Sequence, residues 1–366
     1  MTARTKKKQE VLEMFPGMPD LLPKAPPKAV SGEHVARTLD EAIARSHEIL
    51  DQALAEHTIV VTISLFSGGN DSVIASHLLR GRVNAIAHVN TGTGIPATTT
   101  HVRDVTAAWN LPLHELHPRD SYEDLVLGRV IARTGPNAGK RQVWKGFPGP
   151  AGHRVMYRRL KDEPLMRLRA QLLDSRPRSA KVAYLGGMRW AETQRRFRNA
   201  EAIDVQGRLV WVSPLVHWTD AHMREYRARH RCQQDHEHAN HRLCTPDALP
   251  LNEVTEHLHM SGECLCGAYA KPGELDEIEF FYPETAARLR ALEEQAEQAG
   301  LLACRWGRKP PTGTASESGP AGRLCSSCPG TSASGDDSDT LLDAWRDAGL
   351  ITTQQHANFL RPGDAA

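Results

Sequence analysis

The chain has 366 residues, with 45 Lys+Arg against 44 Asp+Glu, a formal net charge of +1, and it is 40% hydrophobic. That length suits two domains or one large domain with appendages, and the composition excludes disorder of the whole chain and a globally basic nucleic-acid coat. No run approaches the ~20 apolar residues that span a bilayer. The basic stretch Met1–Glu10 is followed by no apolar run, so a cytoplasmic protein without a signal peptide or membrane span is expected. Seven cysteines, an odd number, argue against a disulfide framework and for reduced thiols, metal ligands or catalysis.

Residues 1–32 are rich in Lys and Pro (Pro16, Pro19, Pro23, Pro26, Pro27) and read as a flexible, solvated arm. Thr38 and Glu41 fit a capping box that opens a helix with Leu39, Ile43, Leu50 and Leu54 on one apolar stripe. Ile59–Phe66 is β-branched and short enough to be a buried strand. A helix over Val73–Arg80 and a strand over Val83–Val89 follow. Thr98–Trp109 has helical spacing (Val102, Val105, Trp109), and Leu111–Leu116 reads as a third strand. Lys181–Leu185 and Leu209–Val212 are two further strands. Strands alternating with helices predict an α/β fold: a parallel, doubly wound, Rossmann-like sheet with right-handed crossovers and a ligand crevice at the carboxyl ends of its strands. Cys232–Cys244 is packed with His236, His238 and His241, and reads either as a polar insertion or as a zinc site of two thiolates and two imidazoles. Gly307–Asp339 has the composition of a flexible linker, and Thr340–Leu350 is an amphipathic helix candidate.

The strongest signal is Ser67-Gly68-Gly69-Asn70-Asp71-Ser72, between a predicted strand and a predicted helix. Two glycines let backbone approach a ligand closely, and N–H groups at a helix N-terminus form an anion-binding nest. The Ser67 and Ser72 hydroxyls can donate to phosphate oxygens. The loop lacks the Lys-Ser/Thr ending of a Walker A loop, which argues against a GTPase-type or kinase-type site. Asp71 would repel a polyphosphate unless it caps backbone N–H groups or holds magnesium.

The hexapeptide resembles the PP-loop of the ATP pyrophosphatase and phosphoadenosine phosphosulfate (PAPS) reductase superfamily. Four more segments follow in that family's order. His88-Val-Asn-Thr-Gly-Thr-Gly-Ile-Pro96 is similar to its Val-Asp-Thr-Gly segment, with Asn90 where Asp is usual and Thr91 and Gly92 in a nucleotide-facing turn. Met156–Leu165 is similar to its Leu-Lys-x-x-Pro-Leu stretch, which makes Lys161 a phosphate-binding candidate. Leu185–Arg196 resembles its Gly-x-Arg-x-x-Glu-Ser-x-x-Arg motif, and Ser213–Thr219 its Pro-Leu-x-x-Trp-Thr segment. The resemblance implies an adenine nucleotide alpha hydrolase-type fold, with Asp71, Lys161 and Arg189 as catalytic candidates. In that segment Gly186 and Gly187 let a turn sit beside the first loop, Arg189 presents a planar fork to an anion, Glu192 orients it, and Arg195 or Arg196 reaches the same anion. Arginines crowd Arg154–Arg178 as well, a local excess suited to a nucleotide or to a nucleic-acid backbone (tRNA or DNA).

Cys264-Leu-Cys266 and Cys325-Ser-Ser-Cys328 together suit a four-thiolate site for zinc or an iron–sulfur cluster. The segment Ser261–Gly267 resembles a branch of PAPS reductase-like proteins that includes sulfurtransferases of DNA phosphorothioation, which implies a 4Fe–4S cluster with zinc as the alternative. The expected organisation is an arm (1–32), a PP-loop domain (33–227), a Cys/His-containing subdomain (228–306), a linker carrying Cys325 and Cys328 (307–339), and a helix with a tail (340–366). The expected activity is ATP-dependent adenylation with pyrophosphate release in sulfur transfer, served by Mg2+ and by a sulfur donor or reductant protein. Reduction of PAPS to sulfite, and a non-catalytic nucleotide-binding or DNA-associated module, are the alternatives. The C-terminal Glu-Cys-Gly-x-His nucleophile segment of PAPS reductases has no counterpart here.

Overall fold

Thr38 opens the first helix, α1 (Leu39–Glu56), with the expected capping box: its hydroxyl accepts from the Glu41 N–H at 3.2 Å and the Glu41 carboxylate accepts from the Thr38 N–H at 3.2 Å. The computed structural model describes residues 38–133, 138–140, 146–149, 152–190, 201–231, 247–301 and 305–307. The arm, Glu192, Arg195, Arg196, the Cys232–Cys244 segment, Cys304, Cys325, Cys328, nearly all of the linker and the C-terminal helix candidate lie outside the described residues. Among the described residues, no helix is long and apolar enough to cross a membrane.

The core of the chain is one six-stranded sheet in the order β3-β2-β1-β4-β6-β5. Its strands are β1 (Ile59–Leu65), β2 (Ala85–Val89), β3 (Leu113–Leu116), β4 (Lys181–Leu185), β5 (Ile203–Gln206) and β6 (Leu209–Val212). All neighbours pair in parallel except β5 and β6, which form an antiparallel hairpin closed through Gly207 at φ +60°. The sheet is therefore α/β and Rossmann-like as expected, with an antiparallel edge strand that alternation of helices and strands does not announce. Ile203 and Val205 alternate with Asp204 and Gln206, a period-two pattern too short to stand out.

Helices cover both faces. On one, Ile63, Leu65, Ala87, Val182 and Tyr184 pack with Leu165 and Leu168 of α6 (Glu163–Leu172). On the other, Ile49 and Leu50 of α1 and Leu79 of α2 (Asn70–Leu79) meet Leu185 and Val212, while Val102 and Val105 of α3 (Pro96–Ala108) meet Phe66 and Ile86. The stripe on α1 runs through Leu39, Ala42, Ser46, Ile49, Leu50 and Ala53, and leaves Leu54 exposed. Ser46 belongs to that stripe because its hydroxyl accepts from Trp218 Nε1 at 2.9 Å.

A second core sits beyond the carboxyl edge of the sheet. Its helices are α4 (Tyr122–Val126), α5 (His153–Tyr157), α8 (Glu253–Leu258), α9 (Glu274–Phe281) and α10 (Pro283–Gln298), while α7 (Asp220–Arg229) packs instead against α1 and α2. A π-helical turn, Arg158–Asp162, joins α5 to α6 and turns Leu160 and Lys161 inward. Leu289, Leu292 and Ala296 of α10, Val254 of α8, and Leu265, Cys266 and Trp306 share this core.

Candidate functional site

The loops after β1 and β4 meet where the strand order reverses, the place where doubly wound sheets bind ligands. Between them opens a cleft of about 240 Å³. Apolar side chains of Leu65, Ala87, Val89 and Leu165 form one part of its lining, and the Ser67–Ser72 loop forms another.

The loop holds its own shape. The Ser72 hydroxyl donates to the Gly69 carbonyl at 2.8 Å and accepts from the Ser67 N–H at 3.2 Å. Ser67 Oγ lies 3.0 Å from Ser72 Oγ and accepts from the Gly69 N–H at 3.3 Å. The hydroxyl hydrogens expected to serve phosphate are thus engaged within the loop. The backbone N–H groups of Asn70, Asp71 and Ser72 have no intrahelical partner at the start of α2 and no side-chain cap from Gly69, an arrangement open to an anion.

Arg189 faces this helix end. Its Nε lies 3.3 Å from the Asp71 carboxylate and its Nη1 donates to Asp220 Oδ1 at 2.8 Å, with the residue only 7% exposed. Burial works against its charge, but Asp71 and Asp220 more than offset this and hold its pKa above the ordinary guanidinium value. Asp71 is therefore neither an N-cap nor a free carboxylate: its charge at the start of α2 is paired with Arg189. Asp220, the first residue of α7, orients the fork among the described residues. Gly187 makes the approach possible, since a Cβ there would lie 2.7 Å from the Asp71 carbonyl carbon and 2.8 Å from the Ser72 nitrogen.

The third wall is a strap from the distant segment Asn252–Gly267. The Asn252 side chain donates to the Gly68 carbonyl at 3.0 Å, and a Cβ at Gly69 would meet the Ser261 Cβ at 3.0 Å. The loop after β2 and the first turn of α3 grip the strap further on. Thr91 Oγ1 donates to the Glu263 carbonyl at 2.8 Å, Thr98 Oγ1 to that of Ser261 at 2.6 Å, and the Leu265 N–H to Thr93 Oγ1 at 2.9 Å. Gly94 has no room for a side chain, because its Cβ would lie 2.4 Å from the Glu263 carbonyl oxygen. Thr91 accordingly fastens the strap, and both Thr91 and Gly92 stand outside the cleft lining; Gly92 presents its carbonyl to Arg288 Nη1 of α10 at 2.9 Å.

Lys161 is also outside the cleft lining. Its Nζ donates to Glu263 Oε2 at 2.8 Å, with side chains 3% and 5% exposed, and it is Glu263 that lines the cleft. The far side of Lys161 borders a small cavity of about 10 Å³, shared with His153, Tyr157, Cys264 and Cys266. The buried ion pair thus forms a wall between the cleft and the two thiols.

Asn90, at the position where the resembled family carries Asp, has a structural reason to be an amide. Its Nδ2 donates to Glu115 Oε1 at 2.9 Å and its Oδ1 accepts from the Gly92 N–H at 3.1 Å. Hydrogen bonds from Arg103 and Asn90 pull the Glu115 pKa down to about 2 against the effect of burial. Asn90→Asp is expected to destabilise the chain by about 1–3 kcal/mol, because it sets a second carboxylate against Glu115 and removes a donor. Denaturant unfolding checks this, and the loss should shrink as pH falls and one carboxylate takes a proton.

Two of the four expected thiolate ligands, Cys325 and Cys328, lie outside the described residues, so the expected four-thiolate site is not described as a whole. Both cleft carboxylates, Asp71 and Glu263, are paired with Arg189 and Lys161, and no group of three His, Cys, Asp or Glu side chains among the described residues is arranged to hold a metal ion. Cys264 is partly buried and Cys266 buried, and both border the small cavity of about 10 Å³ beside Lys161.

Sequence reasoning passed over Asp220, Asn252, Glu263 and His259 in building this cleft. Asp220 follows a Thr that forms a capping box with His222, and Asn252 caps α8 through the Val254 N–H at 3.2 Å; those capping signals were readable.

No protein-family model and no curated protein matches the chain. Among solved structures, the chain is similar to a phosphoadenylyl-sulfate (PAPS) reductase from Candida auris in a phosphate complex, at 18% identity over 64% of this chain and 94% of that one, with a TM-score of 0.38.

Proposed function

We propose that the chain is an enzyme that binds an adenine nucleotide by its phosphates in this cleft and uses ATP for adenylation with pyrophosphate release, in the service of sulfur transfer. The observation that carries the reading is the uncapped N-terminus of α2 opening into the cleft opposite the buried Arg189. Helix N–H groups and a guanidinium in a half-enclosed site are suited to phosphate oxygens. The apolar wall of Leu65, Ala87, Val89 and Leu165 offers a surface for the base.

In the reaction, a nucleophilic oxygen of the acceptor attacks the α-phosphorus. The bond from that phosphorus to the bridging oxygen breaks, and pyrophosphate leaves with the electron pair. Negative charge then grows on the departing group, where the fixed N–H groups of Asn70, Asp71 and Ser72 stabilise it without reorganising. Asp71 and Asp220 hold the Arg189 fork in place for the same charge. The adenylated acceptor is then open to attack by sulfur, with AMP leaving.

Reduction of a sulfonucleotide is the second reading, favoured by the proximity of Cys264 to the cleft-lining Glu263. In that chemistry a Cys264 thiolate attacks the sulfonate sulfur, the nucleotide phosphate leaves, and a second thiol releases sulfite and closes a disulfide. The first reading is preferred because both thiols border the neighbouring cavity, behind the Lys161–Glu263 pair.

The test is to incubate the anaerobic protein with ATP or PAPS and follow pyrophosphate, AMP and sulfite. Pyrophosphate and AMP from ATP are expected; sulfite from PAPS would replace the first reading by the second, and binding without products would leave a nucleotide-binding module. Arg189→Gln should weaken ATP binding by about 10–100-fold, the worth of a charge-assisted hydrogen bond. Unchanged affinity would remove Arg189 from the site.

A further inference from the structure

His259 ends α8 in the left-handed region, at φ +52° and ψ +21°. That is a helix C-terminal position where Gly or Asn is ordinarily found, because a side chain with a Cβ is strained there. Its N–H closes the helix onto the Thr255 carbonyl at 2.9 Å, which a glycine would do equally well. The residue is exposed, and among the described residues its imidazole makes no hydrogen bond or ring contact, with only the charges of Glu256 and Lys271 acting on it. Among the described residues, two other non-glycine positions have positive φ, Asn110 and Ser175, and neither lines the cleft. His259 does, as the one imidazole among its described lining residues.

Its position follows from its neighbours. Thr255 Oγ1 lies 3.4 Å from the Gly68 carbonyl, and Ser261 packs on Gly69, so the chain between them passes over the phosphate loop. An imidazole held there in a strained backbone, unpaired and at the mouth of an anion site, is placed to meet a ligand.

We propose that His259 is a ligand-contacting residue, whose ring N–H donates a hydrogen bond to the phosphate end of the bound nucleotide. This rests on the reading of the cleft as a nucleotide site, and it assigns the strap a direct part in holding the group that leaves as pyrophosphate.

The experiment titrates inorganic pyrophosphate and ATP calorimetrically into the full chain and into two variants, His259→Asn and His259→Gly, with thermal unfolding of each. Both replacements suit the left-handed backbone, so neither is expected to lower the melting temperature, and glycine should raise it. Affinity for both ligands should fall about 10-fold in both variants. If the variants bind as the parent does, the proposal is overturned while the nucleotide reading stands. A lost affinity that comes with a lower melting temperature in both variants overturns it too, since His259 would then be structural. If neither pyrophosphate nor ATP binds the parent chain, the nucleotide reading falls and this proposal with it.

Discussion

Replacing Lys161 by methionine should cost about 3–5 kcal/mol of stability, the largest effect expected of any single change considered for this protein. The ammonium is 2.8 Å from the Glu263 carboxylate, and both side chains are almost wholly buried. Removing the ammonium leaves the Glu263 carboxylate, only 5% exposed, without its ion-pair partner in the wall between the cleft and the thiol cavity. Domains commonly have only 5–15 kcal/mol in total, so Lys161→Met should shift the denaturant midpoint strongly and expose much of the chain to proteolysis. The double variant Lys161→Met with Glu263→Met removes both charges and should recover most of the loss, as buried pairs often exchange for apolar residues at little net cost. The outcome that sinks the idea is a Lys161→Met loss below about 1 kcal/mol, the range of a solvated surface pair.

Gly187→Ala should be nearly as damaging, and at a different link. The added methyl group would lie 2.7–2.8 Å from the backbone of Asp71 and Ser72, and a helix backbone cannot move aside as a side-chain tip can. Overpacking of this kind costs about 1–3 kcal/mol. The atoms displaced belong to the first turn of α2, whose N–H groups are the proposed phosphate donors, so ATP affinity should fall further than stability. Gly186 supplies the control from the same turn: a Cβ there meets nothing within 4 Å, and Gly186→Ala should stay within about 0.5 kcal/mol of the parent. Unfolding and ATP titration on the two variants side by side check the claim, and equal behaviour would refute a close approach at Gly187.

The parallel part of the sheet was legible in the chain because buried parallel strands are short, continuous apolar runs. Lys181–Leu185 and Leu209–Val212 coincide with β4 and β6, and the strands expected at Ile59, Val83 and Leu111 differ from β1, β2 and β3 by one or two residues at an end. The hairpin strand β5 was not, since four residues of weak alternation carry little signal. The helices α8 to α10 were passed over as well. Short helices α8 and α9 carry little periodic signal, while Ala286, Leu289, Leu292 and Ala296 after Pro283 make a regular stripe on α10.

The candidate site divides along similar lines. The glycines of the Ser67–Ser72 loop and the need for Gly187 beside it could be read locally, because close backbone approach demands a missing side chain. The partners of the charged groups could not. Asp71, Lys161 and Arg189 read as three groups facing a phosphate, and folding pairs each of them with another residue: Asp71 with Arg189, Arg189 also with Asp220, and Lys161 with Glu263. Lys161 and Glu263 are separated by 102 positions, a relation that hydrophobic periodicity does not encode.

The sequence alone determined that this chain builds an α/β sheet with a glycine-bearing, anion-ready turn after its first strand, since strand period, helix period and backbone freedom are properties of neighbouring residues. Only the tertiary structure decided that a strap from Asn252 to Gly267 closes the cleft, that Lys161 serves as its buried wall, and that His259 stands at its mouth. Burial and charge pairing depend on which distant segments are brought together, and that is settled by packing.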